Sequence, residues 1–206
     1  MRQPGQGKSQ TRIQRQKTAQ IHAAALSVFA AEGYRGATLD QIALAADMSK
    51  PNLLYYFPSK AAVYTALLEN LIETWLDPLR ALDNDREPLD AILDYVCRKL
   101  AMSRDYPRES RLFANEILQG APHIREVLSG ELKDLVEEKA ALIRRWVAAG
   151  KIREIDPVHL IFSIWSLTQH YADFDAQVRA VLGDTSDPYA DAEVFLETLF
   201  SRALRA

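Results

Sequence analysis

The sequence predicts an all-α fold: an N-terminal three-helix bundle that carries a helix-turn-helix, followed by a larger C-terminal helical domain. Three observations carry this. Apolar residues recur at helical spacing along the patterned stretches, and no stretch alternates with period two. Proline and glycine punctuate the chain at helix-sized intervals, from Gly33 and Pro58 through Pro88, Pro107, Gly120 and Gly150 to Pro157 and Pro188. A chain of 206 residues with 48% hydrophobic and 26% charged side chains can bury a real core. That balance excludes disorder over most of the chain, and equally a collagen-like or disulfide-stapled fold.

The elements follow in order. Residues 1–16 are rich in Gln, Gly and Arg with little apolar content, and are read as a flexible basic arm. From Thr18, the residues Ile21, Ala24, Ala25, Val28 and Phe29 mark a helix, with Gly33 as its left-handed cap. Thr38-Leu39-Asp40-Gln41 has the capping-box pattern and opens a short helix with Leu39, Ile42 and Ala46 inward. Asp47-Met48 makes a tight break. Ser49 caps a second short helix that tolerates Pro51 in its first turn, and Phe57-Pro58 stops it. Ser59 caps a longer helix to about residue 77, before Pro78. Further helices are predicted over 88–105, 107–120, 122–150 with a break at Gly130, 157–181, and from Pro188 onward. Nine helices result, give or take one, in three regions: the arm 1–16, a helix-turn-helix domain 17–60 and a second helical domain 61–206.

Net charge conceals an asymmetry. Residues 1–60 hold eight basic and three acidic side chains, whereas residues 61–206 hold 17 basic and 25 acidic. A basic N-terminal part on an acidic body suggests that one end meets a polyanion; a solvated tail that aids solubility is the alternative. The sole cysteine, Cys97, excludes an internal disulfide and a Cys-based zinc site. The first twenty residues lack an apolar signal core, and the most apolar stretch, 158–167, is too short to span a bilayer. A cytoplasmic protein without a membrane partner is expected.

Residues 39–56, two short helices joined by a sharp turn, have the pattern that reads DNA. The second helix presents Ser49, Lys50, Pro51, Asn52, Tyr55 and Tyr56 to phosphates or base edges, and Leu53 and Leu54 anchor it. Lys60 in the next helix's first turn and Thr38 at a helix N-terminus are placed to hold phosphates. An ordinary helical hairpin within a core is the alternative. The run Gly33-Tyr34-Arg35-Gly36-Ala37-Thr38-Leu39-Asp40-Gln41-Ile42-Ala43, with Met48-Ser49-Lys50-Pro51-Asn52-Leu53-Leu54-Tyr55-Tyr56-Phe57-Pro58-Ser59-Lys60, resembles the TetR family of transcriptional repressors. The resemblance implies double-stranded operator DNA as partner and a C-terminal domain for ligand binding and dimerisation. Two positions depart from it: Asp47 where the family often has Gly, and Ala61 where Glu often follows Ser-Lys.

Further blocks, among them Trp75-Leu76-Asp77-Pro78-Leu79, Ser103-Arg104-Asp105-Tyr106-Pro107 and Ile164-Trp165-Ser166-Leu167-Thr168-Gln169-His170, resemble a branch of that family that regulates pyrimidine utilisation. This implies a homodimeric repressor released by a small planar effector, uracil or thymine; the stretch after Phe174 matches less well. Such a ring wants an aromatic wall and an amide that both donates and accepts. Trp75, Trp165 and Gln169 supply those types, with Leu76 and Leu79 as apolar lining. From residue types alone, tryptophans that fill a core and a glutamine bonded to backbone are the plainer reading; the branch resemblance turns it toward a ligand.

The segment 158–167 is apolar around nearly its whole circumference and must be covered on two sides. A ligand core on one side and a partner subunit on the other would do so. The last two helices, from Pro157 and Pro188, would form the dimer surface with Val194, Phe195, Leu199, Phe200 and Leu204. A buried core helix in a monomer is the alternative. No enzyme is expected. Ser166, His170 and Asp173 share one face of a regular helix, without an oxyanion hole or a strained nucleophile turn. The four histidines form no zinc-protease motif and no tight cluster with cysteine, so neither catalytic nor metal-binding residues are predicted, and no cofactor beyond the effector.

Overall fold

A computed structural model describes residues 12–183 and 187–206. The first eleven residues of the predicted arm lie outside the described residues. Those described form eleven α-helices and one π-helical turn, with no strand among them. The chain divides into two units, residues 1–67 and 68–206. The division falls two turns inside a helix whose start the sequence suggests as the boundary.

The first unit comprises α1 (Arg12–Gly36), α2 (Leu39–Ala45), α3 (Lys50–Tyr56) and the beginning of α4 (Lys60–Arg80). Residues 12–16, predicted as part of the arm, are the first turn of α1. Ile13, Gln14, Arg15 and Gln16 are good helix formers, and nothing in the sequence stops the helix before them. Ile21, Ala25, Phe29, Ile42, Leu53 and Val63 are almost completely buried and form the core of this unit. Phe29 meets Tyr64 edge-on at 4.8 Å. At Gly33 the backbone turns to φ 66°, so α1 kinks where a left-handed cap is predicted and ends one turn later.

The second unit comprises the remainder of α4, α5 (Pro88–Asp105), α6 (Pro107–Leu118), α7 (Arg125–Val127), the π turn Leu128–Leu132, α8 (Lys133–Ala148), α9 (Pro157–Asp173), α10 (Asp175–Leu182) and α11 (Pro188–Leu204). Helix α9 lies at its centre, packed against α5, α6, α8, α10 and α11. Its core joins Leu79, Ile92, Tyr95, Val96, Ile143, Trp146, Leu160, Ile164, Leu196 and Leu204 among others.

Four predicted boundaries move beyond the start of α1, the simplest being that the helix predicted from Pro122 starts at Arg125. Helix α4 runs through Pro78 to Arg80; the proline removes a single N–H, the one that would bond the Thr74 carbonyl, close to the helix end. The Arg80 guanidinium donates to the Glu73 carbonyl at 2.9 Å and pairs with Asp77. The predicted break at Gly130 is a single π turn within a helix that otherwise continues to Ala148. The helix predicted to 181 is interrupted at Phe174, which leaves helical geometry at φ −114°, ψ 30°. Its ring stacks on His170 at 5.1 Å, and Asp175 starts α10 by pairing with Arg179.

Candidate functional site

Two regions hold the residues singled out by the sequence, one in each unit. In the first, the start of α2 is built as a capping box. The Thr38 hydroxyl accepts the Gln41 amide at 3.2 Å, and the Gln41 side chain accepts the Thr38 amide at 2.9 Å. The turn to α3 closes through Met48 N–H to Ala43 C=O, 3.0 Å, with Asp47 at φ 49°. The Gln20 amide donates to the Ala46 carbonyl at 2.6 Å and fastens this turn to α1. Ser49 caps α3 by accepting the Asn52 amide at 3.4 Å.

That scaffold leaves Ser49, Lys50, Pro51, Asn52 and Tyr55 exposed on one short helix, with Tyr56 half-buried beside them. Tyr55 and Tyr56 meet edge-on at 5.2 Å. Leu53 is fully buried and anchors α3, but Leu54, predicted as a second anchor, is 37% exposed. A seven-residue helix has only one side against the bundle, and Leu54 lies a hundred degrees round from Leu53. Lys50 reaches back to Asp40 at 2.9 Å, an exposed pair that a phosphate oxygen can replace at little cost.

Lys60 is differently placed from the phosphate clamp that the sequence suggests. Its ammonium donates to the carbonyls of Tyr34, at 2.7 Å, and Ala37, at 2.8 Å, and sits 4.7 Å over the Tyr34 ring. The end of α1 leaves these carbonyls without helical donors, and Lys60 supplies the missing charge. It therefore holds the corner that carries Thr38.

In the second unit a cleft of about 840 Å³ opens between α6, the π turn and α9. Phe113, Ile117, Leu118, Leu132 and Phe162 make its walls apolar; Trp165 and Gln169, one turn apart on α9, line it, with Asp173 a further turn on. Trp75, Leu76 and Leu79, predicted to share this pocket, do not line it. Leu76 and Leu79 are buried, and Leu79 belongs to the core of the unit. Trp75 is buried beneath Lys99, whose ammonium lies 5.3 Å over the indole ring, and its own Nε1–H has no acceptor. The Trp165 Nε1–H donates to Tyr95 Oη at 2.6 Å. Tyr95 and Lys99 are one turn apart on α5, so that face of α5 links the two indoles.

The residues suggestive of a triad are separately engaged. Ser166 donates to the Phe162 carbonyl, His170 stacks on Phe174, and Asp173 accepts from Ser110 at 2.6 Å. The oxidisable thiol is equally quiet: burial and the facing Glu197 push Cys97 up to about 12, so it stays protonated.

Comparison with known proteins decides what this pair of units is. Residues 68–206 match the C-terminal region of YcdC-like proteins, and residues 21–67 match the bacterial regulatory proteins of the tetR family. The chain belongs to the TetR family. It is 52% identical over 179 residues to the HTH-type transcriptional regulator RutR of Escherichia coli K12, covering 87% of this chain and 84% of RutR. It is 28% identical over 201 residues to the HTH-type transcriptional repressor NicS of Pseudomonas putida, covering 88% and 89%. Its fold resembles a tetR-family regulatory protein from Rhodococcus RHA1, with a TM-score of 0.73 at 23% identity over 92% of this chain and 98% of that one. Salmonella enterica GusR gives a TM-score of 0.66 at 19% identity over 96% and 98%. The chain is thus a helix-turn-helix transcription regulator and not an enzyme. No helix among the described residues is long and apolar enough to cross a membrane.

In this TetR-family regulator the residues that sequence reasoning missed surround Trp75. Lys99 is 2% exposed, and burial lowers its pKa to about 7 against the pull of the Asp173 charge. Asp173 is itself raised by burial, an effect opposed by its bond from Ser110 and by the charges of Arg111, Lys99 and His170. One signal was present in the sequence: Lys99 falls on the stripe of Ile92, Tyr95, Val96 and Ser103, the buried face of an otherwise amphipathic helix.

Proposed function

We propose that this TetR-family regulator is a cytoplasmic homodimeric repressor of pyrimidine-utilisation genes, released from its operator by uracil or thymine. The observation that carries the effector reading is the placement of Trp165 and Gln169 side by side in an apolar cleft, with the relationship to RutR behind it. An indole face stacks on a flat ring, and a carboxamide matches an imide edge, since it offers a donor and an acceptor at once.

On the DNA side, α3 enters the major groove with Lys50, Asn52, Tyr55 and Tyr56 toward phosphates and base edges. Ser49, Pro51 and Thr38 set the helix N-termini against the backbone. Lys60 acts through the corner it holds. One helix, α4, bears both Lys60 and Trp75, so an effector that repositions Trp75 acts on the element that braces the DNA-reading unit. The effector shifts the equilibrium only by binding the released form more tightly than the DNA-bound form. Phe162 on α9 and Val194, Phe195 and Leu199 on α11 are exposed apolar side chains that suit a second copy, whereas Phe200 and Leu204 are buried in the subunit's own core.

The test is calorimetric titration with uracil, thymine and cytosine, together with duplex binding measured on sites selected from a random library. Uracil and thymine are expected to bind and to release the duplex, while cytosine does neither. Gln169→Ala should weaken uracil by tenfold or more and leave duplex affinity unchanged; unaltered release in that variant removes the proposed pocket. A second reading is favoured by the cleft's size. At about 840 Å³ it lies near the upper end for small-molecule sites, which suits a larger apolar effector. Failure of all three pyrimidines selects that reading.

A further inference from the structure

We propose that the cavity between α1 and the end of α3 is a cradle for the sugar-phosphate backbone of duplex DNA. The hydroxyls of Thr18, Tyr55 and Tyr56 donate to phosphate oxygens there, and Arg12 and Arg15 supply the charge. This adds α1 to the DNA-binding surface and rests on the reading that α3 enters the major groove.

The cavity has a volume of about 460 Å³ and lies wholly within the first unit. Thr18 reaches it from α1, and Tyr55 and Tyr56 reach it from the last turn of α3. None of these three hydroxyls has a hydrogen-bond partner among the described residues. Another hydroxyl of α1 behaves otherwise: Ser27 donates to the Ala23 carbonyl of its own helix at 3.2 Å. The rings of His22 and Phe57, 5.6 Å apart, and the Ala66 methyl complete the lining. Hydroxyl donors beside a wall of rings fit a group with acceptor oxygens and a weakly polar body. A backbone phosphate with its deoxyribose is such a group, and tyrosine and threonine hydroxyls are ordinary partners for it.

Charge favours the same occupant. Arg12, Arg15 and Thr18 recur along one ridge of α1. Both arginines are exposed, and no acid pairs with either among the described residues. The acids of residues 1–60, Glu32, Asp40 and Asp47, line no part of the cavity. Lys60, which the sequence offers as a phosphate clamp, is held by the Tyr34 and Ala37 carbonyls, so the charge on this side of the reading helix comes from α1.

Position along α3 decides between backbone and bases. The N-terminal residues of a recognition helix meet base edges. Lys50 and Asn52 stand at that end of α3, and Tyr55 and Tyr56 at the other. The cradle therefore sets the register of the protein on the duplex and does not read sequence.

The experiment is fluorescence anisotropy of the full chain with two labelled duplexes of equal length, one selected from a random library and one of random sequence, over a range of KCl. Thr18→Val, which keeps the branched shape and deletes the hydroxyl, is expected to weaken both duplexes severalfold and by the same factor. Tyr55→Phe should do the same. Arg15→Gln should weaken both and reduce the salt slope of log K by about one. Asn52→Ala, at the base-reading end, should instead lower the ratio of the two affinities. Circular dichroism establishes that each variant is folded. Unchanged affinity in Thr18→Val or Tyr55→Phe, a loss confined to the selected duplex, or an unchanged salt slope in Arg15→Gln overturns the cradle and gives the cavity a different occupant. An unchanged ratio in Asn52→Ala instead overturns the placement of α3 on which the cradle rests.

Discussion

Lys99 puts a cost into the folded state whose sign can be worked out. The unfolded chain keeps this proton up to the ordinary lysine range, whereas the folded chain sheds it near pH 7. Between those limits unfolding takes up a proton, so the contribution to stability improves as pH rises through that window. Below pH 7 the full penalty of a buried cation stands. Lys99→Met removes the group and should therefore raise Tm most at pH 6 and least at pH 10. A gain of each kcal/mol is worth roughly 2–4 °C in a chain of this size, and melts at the two pH values read the difference. A Tm gain that does not change with pH would place the benefit in packing. Lys60 has the partners that Lys99 lacks, carbonyls at 2.7 and 2.8 Å and the Tyr34 ring at 4.7 Å. Two lysines in one chain thus differ because one has acceptors and the other lacks them.

Among elements, the turn between α2 and α3 is where backbone geometry and sequence disagree. Asp47 occupies φ 49°, a conformation that glycine adopts freely and other residues only at a cost. Asp47→Gly is expected to stabilise the first unit by ~0.5 kcal/mol, and Asp47→Val to cost about 1–2 kcal/mol; thermal or urea melts of the two variants check the order. The same turn shows what a single sequence reveals. Most helix starts were legible because their signals are local: Pro88, Pro107, Pro157 and Pro188 each open a helix, and Thr38 and Ser49 cap as their types predict, whereas α1 includes residues 12–16 and the helix expected at Pro122 starts at Arg125. Helix ends were less so. Pro78 does not end α4, and Phe174 leaves helical geometry although its residue type does not forbid a helix. The candidate site divides in the same way. Trp165 and Gln169 share a face by spacing alone, but whether Leu76 and Leu79 meet a cleft or a core depends on how α4 packs within its unit. The spacing of α4 does not carry that information.

At the scale of the molecule, the second unit presents more apolar surface than a subunit needs for itself. Phe195 is 57% exposed and Val194 67%, while Leu196 and Phe200 on the same helix are 1% and 4% exposed. One face of α11 builds the core and the other is exposed, the face that the proposed second copy would cover. Phe195→Asp is expected to leave the subunit's own helical fold intact, as circular dichroism would show, because the side chain is exposed. The same change should convert a dimer to a monomer in light scattering and weaken duplex binding sharply. Unchanged mass in solution would place the dimer surface elsewhere. The three tryptophans carry a different consequence, an optical one. Trp146 and Trp165 have hydrogen-bonded indoles and Trp75 has not, so their emission bands should be separable, with Trp146 bonded to Asn84 and outside the cleft lining. An effector stacked on Trp165 in the cleft changes that indole's emission while Trp146 keeps its own, so occupancy of the cleft becomes visible in an unlabelled protein.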